Sequence, residues 1–200
     1  EPVFRDVSTE YQHVIVVLGN HDYYGLQPAQ ALDVYREAAS KYPNVQVLNN
    51  DRTTIAHEGK DYIIDGTTGW YNKAGVQMYP NWPDVEYITG FTDEIGDLHK
   101  QAIDFLLDKA CEGPADLIVT HMLPGAAAVS EPWKNSRSNV MFLMASDPIL
   151  KAVGAPMWVY GHTHDHVDVQ HGDTRLVANP VGYPGEQRRF RADLQHQPDL

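Results

Sequence analysis

The stretch Met157-Trp158-Val159-Tyr160-Gly161-His162-Thr163-His164 decides how this chain is read. An apolar run ends in a glycine, and two histidines follow at i and i+2. On extended backbone that spacing points both imidazoles to one side. Gly161 lets the backbone bend there or approach another group closely. Neutral imidazole is the commonest protein ligand for borderline metals. Taken alone, the pair fits either surface histidines in a turn or ligands at a site. The rest of the chain separates the two.

The same arrangement recurs twice. Val14 to Leu18 is a continuous apolar, β-branched run, the pattern of a strand buried on both faces. It stops at Gly19-Asn20-His21-Asp22. Leu117 to Val119 is another such run and stops at Thr120-His121. A parallel or mixed sheet gathers strand ends along one edge. Asn20, His21, Asp22, His121, His162 and His164 are therefore expected to converge. All offer nitrogen or oxygen and none offers sulfur. That set suits Mn, Fe, Zn, Co or Mg and disfavours a thiolate structural site.

The chain has 200 residues, of which 42% are hydrophobic, enough for the core of one domain. We expect that domain over residues 1–186, with a charged tail over 187–200. Acidic residues number 27 against 15 basic, a formal net charge of -12. A phosphate-backbone binder would carry a basic face, so no nucleic-acid signature is present. Bound metal ions would still attract anions locally, since they would be the largest charges there. Cys111 is the single cysteine, which excludes an internal disulfide and fits a reducing, cytoplasmic setting. No run reaches transmembrane length, and no signal peptide is visible.

Between the motifs the elements alternate. Phe4, Val7 and Tyr11 share one helix face, so Glu1 to Tyr11 reads as the last turns of a helix. Pro28 opens a helix whose buried positions are Leu32, Tyr35, Ala39 and Tyr42. Val45 to Leu48 reads as a short strand. Thr53–His57 and Asp61–Asp65 read as a hairpin around Glu58-Gly59-Lys60. The aromatic, proline-rich stretch up to Pro83 reads as an ordered loop, either cover for the core or part of a substrate pocket. Thr92 is expected to cap a helix, with Asp93 and Glu94 in its first turn. Residues 124–139 read as a polar loop in which Lys134 and Arg137 are either phosphate contacts or plain surface charge. Pro148 to Val153 reads as a short helix. Val167–Gln170 and Arg175–Ala178 read as a hairpin around Gly172-Asp173.

Gly19-Asn20-His21-Asp22, Thr120-His121 and Gly161-His162-Thr163-His164 resemble the later motifs of the calcineurin-like metallophosphoesterases. Gly66-Thr67-Thr68 and the loop Asn179-Pro180…Gly182-Tyr183…Gly185-Glu186 are similar to small bacterial and phage members of that family. The resemblance covers nearly the whole chain to about Glu186. It implies an α/β (α+β) fold in which two mixed β-sheets pack together with helices outside. It also implies a phosphatase or phosphodiesterase in which two divalent ions, manganese among the candidates, share a hydroxide that attacks phosphorus. By motif, Asn20, His121 and His162 resemble the ligands of one metal, and His164 resembles a ligand of the other. His21 resembles the group that steadies the phosphoryl transition state or protonates the leaving oxygen. Asp22 resembles the carboxylate that orients His21.

One departure is large. The family's Asp-x-His and Gly-Asp motifs normally precede Gly-Asn-His-Asp by tens of residues, and the 18 residues before Gly19 contain neither. Asp6 is not preceded by glycine, and Gly172-Asp173 lies in a hairpin turn, so neither substitutes. Because the chain starts at Glu1 and apparently within a helix, we expect it to be the C-terminal part of a complete enzyme, lacking the N-terminal strands. The competing expectation is a degenerate fold that serves as a protein-binding scaffold. In either case an unpaired sheet edge would favour self-association.

Overall fold

The computed structural model describes residues 2–186 and residue 190. The expected tail over 187–200 lies outside the described residues, Phe190 apart. Among the described residues eight strands, β1 (Val14–Val16), β2 (Val45–Val47), β3 (Asp51–His57), β4 (Lys60–Thr67), β5 (Leu117–Thr120), β6 (Met157–Tyr160), β7 (Val167–His171) and β8 (Thr174–Ala178), form two sheets. Six helices accompany them: α1 (Pro2–Glu10), α2 (Pro28–Ala39), α3 (Lys73–Met78), α4 (Pro83–Tyr87), α5 (Phe91–Glu112) and α6 (Asp147–Val153). No helix among the described residues is long and apolar enough to cross a membrane.

The larger sheet is mixed, in the order β3-β4-β5-β6-β8-β7. Its four inner strands run parallel, and β3 and β7 close the two edges antiparallel. β1 and β2 form a separate parallel pair. A small apolar layer joins the two sheets: Leu48, Ile55 and Ile64 are buried, with Ile15, Val17, Leu117 and Val119 packed against them. The backbones approach so closely there that a Cβ on Gly66 would lie 2.6 Å from Cβ of Leu48. The main core lies on the helical side, around Trp158, Tyr71, Phe91, Ile95, Leu106 and Met141.

Three expectations change. Thr92 does not cap α5. Gly90, left-handed at φ 77°, stands at the N-cap, and Phe91, 1% exposed, anchors the first turn. Glycine takes that conformation without strain, whereas Thr92 lies exposed one residue inside. The stretch up to Pro83 is more regular than a loop. Asn72 caps α3 by accepting from the Ala74 N–H, and Pro83 sits in the first turn of α4. Both helices are too short to reveal a 3.6-residue period. Residues 124–139 contain single 3-10 turns at Ala126–Ala128 and Glu131–Trp133, and the start of a third at Arg137–Met141.

The β3–β4 hairpin carries an ion pair between the buried Asp65 and the partly buried Arg52. Arg52 and Asp65 face each other across the ladder, joined by Nε–Oδ1 at 2.7 Å and Nη2–Oδ2 at 2.8 Å. Arg52 also donates to the Lys109 carbonyl near the end of α5. Removing one partner of such a pair strands a buried charge. Arg52→Met is expected to lower stability by about 3 kcal/mol in urea unfolding, and Arg52→Met with Asp65→Leu to recover most of that. Equal loss in the single and double variants would show that the pair's charge is not what matters.

Candidate metal centre

Register builds the centre. Thr120 of β5 lies opposite Tyr160 of β6, so His121 and Gly161-His162 leave adjacent parallel strands at the same edge. The Gly161 N–H continues the ladder to the His121 carbonyl at 3.1 Å. The Thr68 carbonyl, beyond β4, accepts from the N–H groups of both His121 and Met122. The loop after β1 brings Asn20 and His21 to the same place in a single 3-10 turn.

The His121 ring stands in a slot. A Cβ on Gly19 would come within 2.8 Å of its Cε1, and one on Gly161 within 3.1 Å of its Nδ1. His121 Nε2 lies 2.9 Å from Oδ1 of Asn20. The Asn20 amide nitrogen donates to Oδ1 of Asp84 at 2.7 Å, which fixes the amide with its oxygen toward His121. The rings of His121 and His162 are 5.0 Å apart. His162 Nε2 donates to the Met141 carbonyl at 3.3 Å, which leaves its Nδ1 lone pair free. The backbone of His162 is left-handed at φ 60°, and its ring packs 4.5 Å from that of Phe142. Such a conformation at a non-glycine residue is held by its surroundings and clusters at functional sites.

The second half is more open. His164 Nδ1 is 2.8 Å from Oε2 of Glu186, so the carboxylate fixes the proton on Nδ1 and frees Nε2. Tyr183 lies edge-on to His164 and places its hydroxyl 3.4 Å from His21 Nε2. His21 stacks on Tyr24. Asp22, expected to orient His21, is used otherwise. It accepts from the Gly19 N–H through Oδ2 and from the Tyr35 hydroxyl through Oδ1. No hydrogen bond joins it to His21 among the described residues. Its carboxylate closes the 3-10 turn on which Asn20 and His21 ride, because adjacent side chains on such a turn diverge.

All six residues line one cleft of about 1630 Å³, together with Trp82, Phe142, Trp133, Lys134 and Tyr183. Arg137 is not in its wall, and Lys134 is ion-paired with Glu131. Asp22, Glu131, Asp165, Asp168 and Glu186 also face the cleft, against Lys134 as the one basic side chain among the described lining residues.

Asn20 Oδ1, His121 Nε2 and His162 Nδ1 are neutral donors that suit one borderline divalent ion as three of its ligands. An ion there would take the place of the proton between Asn20 and His121. On the other side His164 offers a free Nε2. Among the described residues no three His, Cys, Asp or Glu side chains stand close enough to hold an ion. The residues present therefore fit one incomplete site and do not by themselves make a second. Asp84 is the residue that sequence reasoning missed. It is 0% exposed and bonds to Asn20, Tyr24 and Tyr71, which are scattered along the chain.

The chain belongs to the calcineurin-like phosphoesterase family, which it matches over residues 2–166. A curated relative, the uncharacterised protein L509 of Acanthamoeba polyphaga mimivirus, is 24% identical over 214 residues, spanning 94% of this chain and 74% of that protein. Among solved structures, the phosphopantetheinyl hydrolase PptH from Mycobacterium tuberculosis superposes with a TM-score of 0.67 at 15% identity. That match covers 94% of this chain and 76% of the hydrolase, and at such identity it establishes the fold alone.

Burial pushes the His121 imidazole well below its usual range, and the neighbouring His162, His21 and His164 add to the shift. Burial likewise pushes His162 down to about 4, against the pull of Asp84 and of the Met141 carbonyl. Both are thus neutral and ready for a cation at physiological pH. In the unfolded chain histidine titrates near 6.5. As pH falls from about 6.5 toward 4, the unfolded state binds protons that the folded state refuses, so stability is full above that window and declines through it. The metal-free chain is expected to lose on the order of 1–2 kcal/mol through His162 between pH 7 and pH 5. Chemical denaturation of wild type and His162→Gln at the two pH values measures it, and an identical pH slope in both would exclude His162 as the source.

Proposed function

We propose that these residues form the later part of a dinuclear, metal-dependent phosphoesterase centre acting on phosphate monoesters or diesters. The observation that carries the proposal is the Asn20–His121–His162 set: Asn20 Oδ1 lies against His121 Nε2, and the His121 and His162 rings are neighbours in the wall of an acidic cleft. Of the five lining carboxylates Glu131 and Asp168 are ion-paired with Lys134 and Arg175, and Asp22, Asp165 and Glu186 remain to repel a phosphate ester while no cation is bound. With one, the same cleft becomes locally attractive to it. Divalent ions would supply charge stabilisation at the phosphoryl oxygens and an activated water.

Asn20, His121 and His162 hold one ion, and His164, steadied by Glu186, contributes to the other. The complete centre needs a bridging carboxylate and further ligands beyond these. His21 stands in the cleft wall with Tyr24 beneath it and Tyr183 across from it. From there its imidazole can give a proton to the leaving oxygen or hold the phosphoryl group. The cleft exceeds what a phosphate alone requires, which suits a substantial leaving group.

The second reading, a protein-binding scaffold, draws on the lack of a complete ligand cluster among the described residues. Metal binding distinguishes the two. Calorimetry with Mn²⁺ on the 200-residue chain is expected to give at most one weakly held ion and little turnover of a phosphodiester. Two tightly held ions with rapid turnover would mean that other residues complete the centre, and no binding at all would favour the scaffold.

Roles are tested in protein with measurable turnover. His21→Ala is expected to lower turnover by about 10²–10⁴-fold with metal content unchanged. His162→Ala is expected to lower metal content and turnover together. Equal loss of metal in both would overturn this division of roles.

A further inference from the structure

Among the described residues Asp84 has no cationic hydrogen-bond partner. It is completely buried, and its described partners are three neutral donors. Oδ1 accepts from the Asn20 amide at 2.7 Å and from the Tyr24 hydroxyl at 2.8 Å, and Oδ2 accepts from the Tyr71 hydroxyl at 2.8 Å. Burying a carboxylate is costly, and apolar packing would serve a purely structural position at lower cost. The surrounding chain holds it firmly. Pro83 sits at the start of α4, and the Ile88 N–H closes the turn onto the Asp84 carbonyl. The Gly25 N–H donates to the Tyr87 carbonyl at 2.7 Å, and the Thr89 N–H to the Leu26 carbonyl at 3.0 Å. These bonds tie the segment after Asn20 to the helix bearing Asp84.

Resting on the metal-centre reading above, we infer that Asp84 is a positioning residue for metal binding. Its carboxylate locks the Asn20 amide with Oδ1 facing His121. An amide is an ambiguous group: rotated by half a turn, Asn20 would present NH₂ to the ion and repel it. A carboxylate can only accept, so it selects the one orientation in which the oxygen faces outward. The same hydrogen bond draws electron density toward that oxygen and makes it a better donor to a cation. Asp84 does not ligate, since both its oxygens are engaged behind Asn20 and away from solvent.

The test measures Co²⁺ affinity of the full 200-residue chain by calorimetry and by the visible absorption of bound cobalt, beside thermal unfolding without metal. Asp84→Asn is expected to weaken Co²⁺ binding by about 10–100-fold. In the Asn20→Ala background the same substitution should change affinity by less than about twofold, because there is no amide left to orient. The exchanged pair, Asn20→Asp with Asp84→Asn, rebuilds the hydrogen bond with the charge now on the ligand. It should bind Co²⁺ at least as tightly as wild type, and it serves also if Asp84→Asn alone does not fold. Lowered melting temperature with unchanged Co²⁺ affinity in Asp84→Asn would overturn the inference and leave the metal centre standing. An exchanged pair that binds as weakly as Asp84→Asn would overturn it too. A wild-type chain that binds no Co²⁺ would overturn the metal-centre reading and this inference with it.

Discussion

The parallel, in-register pairing of β5 with β6 is the constraint on which the site depends. Once Thr120 lies opposite Tyr160, His121 and His162 must emerge side by side. A slip of one residue would turn every side chain of one strand to the opposite face. Register is safe because both strands are buried deep in the sheet, with Ile118, Trp158 and Met157 fixed by packing. The Trp158 indole N–H donates to the Thr120 hydroxyl, which ties the two strands together beneath the site as well. The backbone ladder and the metal centre are therefore one structure seen at two heights.

Charge is handled in layers. Asn20, His121 and His162 are neutral donors, and burial keeps the two histidines so. Negative charge lies one shell further out, in Asp84 behind Asn20 and in Glu186 behind His164. Further along the cleft come Asp165, held by the Ser130 hydroxyl, and Asp168. An arrangement with anions behind and neutral donors in front attracts cations without closing their open positions. On the proposed reading, an anionic substrate approaches only once a cation is bound.

Much of this was legible in the sequence because it follows from patterns of short range. Continuous apolar runs marked β5 and β6 among the parallel inner strands, while the third such run, Val14–Leu18, became β1 of the separate pair, and the abrupt polar ends of all three marked the site residues. The hairpins were readable from Glu58-Gly59-Lys60 and Gly172-Asp173, where a turn is encoded by the residues that make it. Calcineurin-like membership followed from the same motifs. What was not legible depends on distance. Asp84 follows a Trp-Pro pair that signals only a helix start, and its meaning comes from Tyr24 and Tyr71, which no local period connects to it. Asp22 was adjacent to His21 in sequence, yet adjacency on a 3-10 turn does not put side chains in contact. Thr92 lost the cap to Gly90 because tertiary anchoring of Phe91 outweighed local capping preference.

The two glycines flanking His121 have a consequence beyond space. Gly19 belongs to the loop after β1 and Gly161 to the loop after β6, and the imidazole is the object that both touch. The ring therefore acts as a spacer between two loops from different sheets, and its thickness sets how far apart they stand. A side chain at either glycine would wedge the seam open and shift Asn20 relative to His162 while leaving every ligand in the chain. The width of the site is in this sense written by two residues that contribute no atom to its chemistry.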